Sequence, residues 1–118
     1  PRLFAPPLWI EQILHNIASN AIQAQENNAV GTAWINLAAT ATDEGIALTL
    51  TDGGPGLSEQ ALQHVFMPFF TTRAQGIGLG MALTDTLIQR LNGTIEATNI
   101  VGQGACFRLW LPIHPEER

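Results

Sequence analysis

Glycine is concentrated in three short clusters that interrupt an otherwise apolar chain of 118 residues. The clusters are residues 52–56 (DGGPG), 76–80 (GIGLG) and 102–104 (GQG). Glycine allows sharp turns and close approach of the backbone to other groups, and clusters of it interrupt regular structure. The clusters therefore divide the chain into short elements, and its length predicts a single domain.

Between the clusters, apolar residues recur with either the helical or the strand period. We predict seven elements, in the order helix 8–25, strand 32–42, strand 45–51, short helix 58–65, helix 80–91, strand 94–100 and strand 105–111. This order predicts an α+β fold, a two-layer sandwich with helices covering one face of a mainly antiparallel mixed sheet. Residues 1–7 are interpreted as a linker, 8–112 as the domain and 113–118 as a tail.

The charged residues exclude several functional classes. The net charge of −5 disfavours a nucleic-acid binder, which needs a basic face. The chain has five Arg and no Lys, although P-loop enzymes and eukaryotic-type protein kinases both need a lysine. No apolar run is long enough to span a membrane, and no secretory signal opens the chain. The lone Cys106 is interpreted as a buried thiol in a reducing compartment, so we expect a cytoplasmic domain.

Two of the glycine clusters suggest nucleotide binding. Asp52 follows a predicted strand, and its carboxylate could accept a hydrogen bond from an exocyclic amine such as that of adenine, with Gly54 and Gly56 beside the flat ring. An ordinary turn would look the same. Residues 76–80 open a helix, where successive N–H groups suit a di- or triphosphate. Their GxGxG spacing, with no strand directly before it, disfavours a dinucleotide fold. The third cluster, 102–104, is interpreted as a tight turn.

Asn16 and Asn20 lie one turn apart on the first predicted helix, on a polar stripe with Gln12 and Gln23. Asparagine is a poor helix former, so two on one stripe call for an explanation. Their amide oxygens could serve Mg²⁺, which prefers oxygen ligands. A solvated polar face is the alternative.

Taken together, these motifs resemble the Bergerat ATP-binding fold, and most closely that of bacterial sensor histidine kinases. Residues 12–21 resemble the N box, 52–56 and 76–80 the two glycine boxes, 65–72 the F box, and 102–107 the closing GxGTxF segment. The resemblance covers residues 8–112. It implies ATP and Mg²⁺ as cofactors, a dimerisation and histidine phosphotransfer domain as partner, and a response regulator as an indirect partner.

The resemblance also implies a role for individual residues. Asn20 would bind Mg²⁺, and Asn16 would support the phosphates or the metal as a second catalytic residue. Asp52 would bind the adenine amino group beside Gly54 and Gly56. The residues expected near the phosphates are Thr72, Arg73, Gly76, Gly78, Leu79 and Gly80.

The sequence departs from the family pattern at several points. Gln23 stands where the kinase N box often carries Lys, so one phosphate contact is in doubt and Arg73 is the candidate to replace it. The lid at 71–75 is short, and a strand usually precedes the N box, so we expect the domain to lack its first strand.

Three functions remain open besides histidine phosphorylation: ATP hydrolysis, serine phosphorylation by the same fold, and nucleotide binding without activity. The related ATPases place a Glu four residues before the metal-binding Asn, where this chain has Asn16, which cannot act as a base. None of the histidines at 15, 64 and 114 has the sequence context of a phosphoacceptor. The acceptor is therefore expected outside this chain.

Overall fold

A computed structural model describes residues 6–23, 25, 34–67, 80–100 and 104–112. The elements are α1 (Pro7–Gln23), β1 (Ile35–Ala41), β2 (Gly45–Asp52), α2 (Glu59–His64), α3 (Gly80–Arg90), β3 (Thr94–Asn99) and β4 (Ala105–Pro112). The four strands form one sheet in the order β1-β2-β4-β3, and every neighbouring pair is antiparallel. The predicted α+β fold is confirmed, with each of the seven elements present.

The ends of the elements follow from local hydrogen bonds. In the β1–β2 turn, the hydroxyl of Thr42 accepts the N–H groups of Glu44 and Gly45 at 3.1 and 3.2 Å. Ser58 caps α2 by accepting the N–H of Ala61 at 3.1 Å. Asn92, with a φ of 63°, ends the turn after α3. The sequence alone predicts a hairpin turn at 43–45, a helix cap at Ser58 and a helix stop at 92–93, and all three are confirmed.

Helix α1 differs slightly from its predicted span. It begins at Pro7, one residue earlier than expected, because proline fits the first helical position, where its missing N–H is not needed. Its described part ends at Gln23 rather than at residue 25. The domain boundaries at 8 and 112 stay predictions. None of the described helices is long and apolar enough to cross a membrane.

The core lies between the two longer helices and one face of the sheet. Alternate residues of β4 (Phe107, Leu109 and Leu111) are buried, whereas Arg108 between them is exposed. Buried residues from the helices pack against this face: Ile13, Ile17 and Ala21 of α1, and Met81 and Ile88 of α3. Both helices are therefore held by apolar burial against the same face of the sheet, α1 over β2 and α3 over β3.

We predict that Phe107→Ala destabilises the domain by about 3–5 kcal/mol, because it leaves a cavity in the core. Phe107 is 0% exposed, and its ring meets that of Phe66 edge-to-face with centroids 6.3 Å apart. Urea unfolding followed by circular dichroism measures the loss. Leu37→Ala is the control: Leu37 is 55% exposed on the edge strand, so its truncation should cost far less. Equal losses for the two variants would contradict this description of the core.

Candidate nucleotide-binding site

Asp52 is a buried carboxylate at the end of β2, with only 2% of its surface exposed. Its Oδ1 accepts two backbone N–H groups, that of Gly54 at 2.9 Å and that of Ala105 at 3.2 Å. Within the described residues, Oδ2 accepts no hydrogen bond. One oxygen therefore fixes the orientation of the carboxylate, and the other remains available to a donor from a ligand.

Gly104 packs directly against this carboxylate. A Cβ atom at position 104 would collide with Oδ1 of Asp52 and would lie 2.7 Å from the backbone nitrogen of Gly54. The third glycine cluster, predicted as a tight turn within the segment that resembles the family's closing motif, thus supplies a glycine that packs against the acid of the first cluster. The sequence held no signal for this contact, because Asp52 and Gly104 meet only through the pairing of β2 with β4.

Asn16 joins α1 to the beginning of α3. Its Nδ2 donates to the carbonyl oxygen of Gly80 at 3.1 Å and to Oγ1 of Thr84 at 3.2 Å. Its Oδ1 accepts from Nε2 of Gln12 at 3.1 Å, and the Thr84 hydroxyl itself donates to Gly80 O at 2.9 Å. The first asparagine of the polar stripe is thus bonded to protein on both its donor and acceptor sides.

Asn20 lies one turn further along α1 and is half-buried. Its side chain makes no hydrogen bond to any described residue. Nearby on the same stripe, Oε1 of Gln23 is buried and has no partner within the described part of the chain. Two amide oxygens on one helix face, each without a hydrogen-bond partner among the described residues, are the kind of ligand that Mg²⁺ prefers.

Comparison with known proteins identifies the family. The sequence profile of the histidine kinase-, DNA gyrase B- and HSP90-like ATPases matches residues 5–115. The chain belongs to this family. The resemblance inferred from the motifs is therefore confirmed, and an ATP-binding domain is the shared feature.

Within the family, the chain is similar to individual bacterial sensor proteins. The chain is 37% identical to the sensor histidine kinase ZraS of Escherichia coli O157:H7 over 97% of its own length and 24% of that protein. It is 42% identical to the C4-dicarboxylate transport sensor protein DctB of Pseudomonas aeruginosa, over 89% of this chain and 18% of that protein. The chain thus spans a quarter or less of the length of these relatives.

Two solved structures of the family share the fold. The nucleotide-free catalytic domain of histidine kinase ThkA superposes with a TM-score of 0.83 at 29% identity, covering 98% of this chain and 74% of that one. Full-length ShkA in complex with AMPPNP gives a TM-score of 0.72 at 30% identity, over 88% of this chain and 21% of that one. The sandwich of this chain is therefore that of histidine kinase catalytic domains.

Several residues that the family resemblance implicates lie outside the described part of the chain. These are Thr72, Arg73, Gly76, Gly78 and Leu79. Gly80 is described, and α3 begins there, so the second glycine cluster does lead into a helix. The proposed phosphate contacts of this cluster stay predictions, as do the ligand roles of Asn16, Asn20 and Asp52.

We predict that Asn16 and Thr84 are energetically coupled. Thr84→Val keeps the shape of a side chain that is 0% exposed but removes its hydroxyl, so it should cost roughly 1–2 kcal/mol. In a double-mutant cycle with Asn16→Ala, the coupling energy from denaturant unfolding should be about 0.5–1.5 kcal/mol. Thr86→Val is the control, because the exposed Thr86 hydroxyl donates to Ala82 O of its own helix and to no other described residue. Strictly additive losses for Asn16→Ala and Thr84→Val would contradict the link.

Proposed function

We propose that this chain is the ATP-binding catalytic domain of a sensor histidine kinase. In this proposal it holds ATP and Mg²⁺ and supplies the γ-phosphoryl group to a histidine on a separate dimerisation and phosphotransfer domain. The observation that carries the proposal is the arrangement of Asp52, whose Oδ1 is anchored by two N–H groups while Oδ2 is left for a ligand. The similarity to sensor histidine kinases, ZraS among them, supports the kinase assignment.

Adenine recognition would depend on the unused oxygen of Asp52. A carboxylate accepts but does not donate, so it selects an exocyclic amino group over a carbonyl at the same position of the base. Guanine presents a carbonyl where adenine presents its amine, and the site should therefore prefer ATP to GTP. Burial of Asp52 removes competing water and strengthens this selection.

Asn20 would be the protein ligand of Mg²⁺, with Gln23 offering a second amide oxygen nearby. When bound, the ion would neutralise charge on the phosphates. The chain itself contributes positioning: α1 presents Asn20, and the bonds from Asn16 hold α1 against the start of α3. These hydrogen bonds would therefore fix the polar stripe relative to α3, the helix that follows the second glycine cluster.

The neutral amide of Asn16, in place of a carboxylate, favours phosphoryl transfer over ATP hydrolysis. An ATPase of this family type would need a carboxylate at this position to activate water, and a neutral amide cannot accept the proton. Both sides of the Asn16 amide are already bonded to protein. Glu11, elsewhere on α1, is exposed and nine residues before Asn20, so it is not placed to substitute.

The acceptor of the phosphoryl group is proposed to lie outside this chain. His15 is exposed on α1, and Nδ1 of His64 lies 2.8 Å from the carbonyl oxygen of Gln60 at the end of α2. His114 lies outside the described residues. The phosphorylated partner would then pass the group to a response regulator, and we place this reaction in the cytoplasm.

We predict that Asp52→Asn weakens ATP binding by about 1.5–3 kcal/mol, because a charge-assisted hydrogen bond is lost. Its preference for ATP over GTP should fall as well. Titration calorimetry with both nucleotides measures these changes. Asp43→Asn, which removes an exposed carboxylate in the β1–β2 turn, is the matched control and should bind ATP like the wild type. If Asp52→Asn bound ATP as tightly as the wild type, the adenine assignment would be wrong.

We also predict that the chain phosphorylates a histidine supplied in trans but hydrolyses ATP poorly alone. With labelled ATP and Mg²⁺, label should appear on an added helical hairpin from the parent kinase. The bond should be acid-labile and base-stable. Asn20→Ala should abolish transfer while leaving metal-free nucleotide binding nearly intact, whereas the exposed-site control Asn36→Ala should transfer normally.

Other outcomes would contradict this proposal in distinct ways. Rapid ATP turnover by the isolated chain, lost in Asn16→Ala, would indicate a hydrolase. Stable label on serine or threonine of a partner would indicate a serine kinase. ATP binding without any transfer to the hairpin would indicate a nucleotide-binding module.

A further inference from the structure

Asn99, the last residue of β3, makes a two-point contact with a loop far away in sequence. Its Nδ2 donates to the carbonyl oxygen of Leu57 at 2.8 Å, and its Oδ1 accepts the N–H of the same residue at 2.9 Å. One side-chain amide thus satisfies both backbone groups of Leu57, as the next strand of a sheet would. Asn99 makes no other side-chain hydrogen bond within the described part of the chain.

These bonds close the loop that carries the first glycine cluster. Residues 53–56 run between two fixed points, Asp52 at one end and Leu57 at the other. Asp52 is anchored to Ala105, and Ala105 is the cross-strand partner of Asn99. Both ends of the loop are therefore attached to the same pair of neighbouring residues where β3 and β4 meet.

Gly56 makes the contact with Asn99 sterically possible. Its φ of +85° lies in the left-handed region, which favours glycine. A Cβ atom there would lie 2.9 Å from Oδ1 of Asn99, closer than a side chain tolerates. The glycine of the loop thus fits the asparagine of β3, in addition to any part it plays beside a bound base.

We propose that Asn99 is a positioning residue for nucleotide binding: it holds residues 53–57 in the shape that the adenine base meets. The inference rests on the proposed function, because it assumes that this loop receives the base. The role of Asn99 would be indirect, since its side chain is hydrogen-bonded to Leu57. A loop that is already fixed before binding loses less conformational entropy when the ligand binds. The Asn99–Leu57 hydrogen bonds should therefore raise the affinity for the base, although Asn99 does not contact it.

The test compares Asn99→Ala and Asn99→Asp with wild type in this chain. Alanine removes both bonds, whereas aspartate keeps an acceptor for the Leu57 N–H but places an acceptor against the Leu57 carbonyl. Both variants should bind ATP about ten-fold more weakly, the factor that corresponds to the loss of roughly one net hydrogen bond. Their preference for ATP over GTP should also decrease.

Inorganic tripolyphosphate separates positioning of the loop from general damage to the fold. Tripolyphosphate lacks the base, so its affinity, measured by displacement of a fluorescent nucleotide, should be the same in wild type and both variants. Asn36→Ala and Asn36→Asp are the matched controls, because Asn36 is exposed on β1 and its side chain makes no hydrogen bond to described residues; they should leave every affinity unchanged. Unchanged ATP affinity in both Asn99 variants would overturn the proposal, as would an equal loss of ATP and tripolyphosphate affinity.

The outcomes also separate this inference from the proposed function. If the wild type fails to bind ATP, the proposed function is wrong; if Asp52→Asn weakens binding but the Asn99 variants do not, only the role of Asn99 is wrong. Should neither Asn99 variant fold, hydrogen exchange in the wild type decides. The Leu57 amide should exchange slowly in the free chain, and exchange as fast as that of a solvent-exposed amide would overturn the proposal.

Discussion

The buried carboxylate of Asp52 is the interaction around which the candidate site is built. An acid with almost no exposure is costly unless hydrogen bonds compensate for lost hydration. Here the N–H groups of Gly54 and Ala105 both point at Oδ1, and they come from the loop after β2 and from the start of β4. The carboxylate therefore ties the glycine loop to the central strands, and the close approach of Gly104 leaves little room for it to move.

The sheet positions this carboxylate through its register rather than through any local motif. Antiparallel pairing of β2 with β4 brings Asp52 to the start of β4, and pairing of β4 with β3 places Asn99 opposite Ala105. Apolar burial of Leu50 and Phe107, which are themselves cross-strand partners, fixes that register because a shift by one residue would expose the core face. The core thus determines the site geometry at one end of the sheet.

Features set by neighbouring residues were predictable from sequence, and features set by the register were not. The Ser58 cap, the turn at 43–45 and the end of α3 each depend on residues within one turn of each other, and the structure confirms them. The contact of Asn99 with Leu57 spans 42 residues and that of Asp52 with Ala105 spans 53. No periodicity or spacing encodes such pairs, so the sequence predicts no role for Asn99, and for residues 102–104 it predicts a turn within the closing motif but no contact with Asp52.

Asn16 bears both on the packing of α1 against α3 and on whether the domain would transfer or hydrolyse the γ-phosphoryl group of ATP. Its Nδ2 donates to the carbonyl oxygen of Gly80, which also accepts a hydrogen bond from the hydroxyl of Thr84. A glutamate would bring an acceptor against that carbonyl and could not donate to it at neutral pH. The amide therefore stabilises the junction of α1 with α3, while the same lack of a carboxylate leaves water near Asn20 without a base from this position. Under the proposed function, the residue that fixes α1 against α3 is therefore also the one whose neutral amide offers no base for ATP hydrolysis.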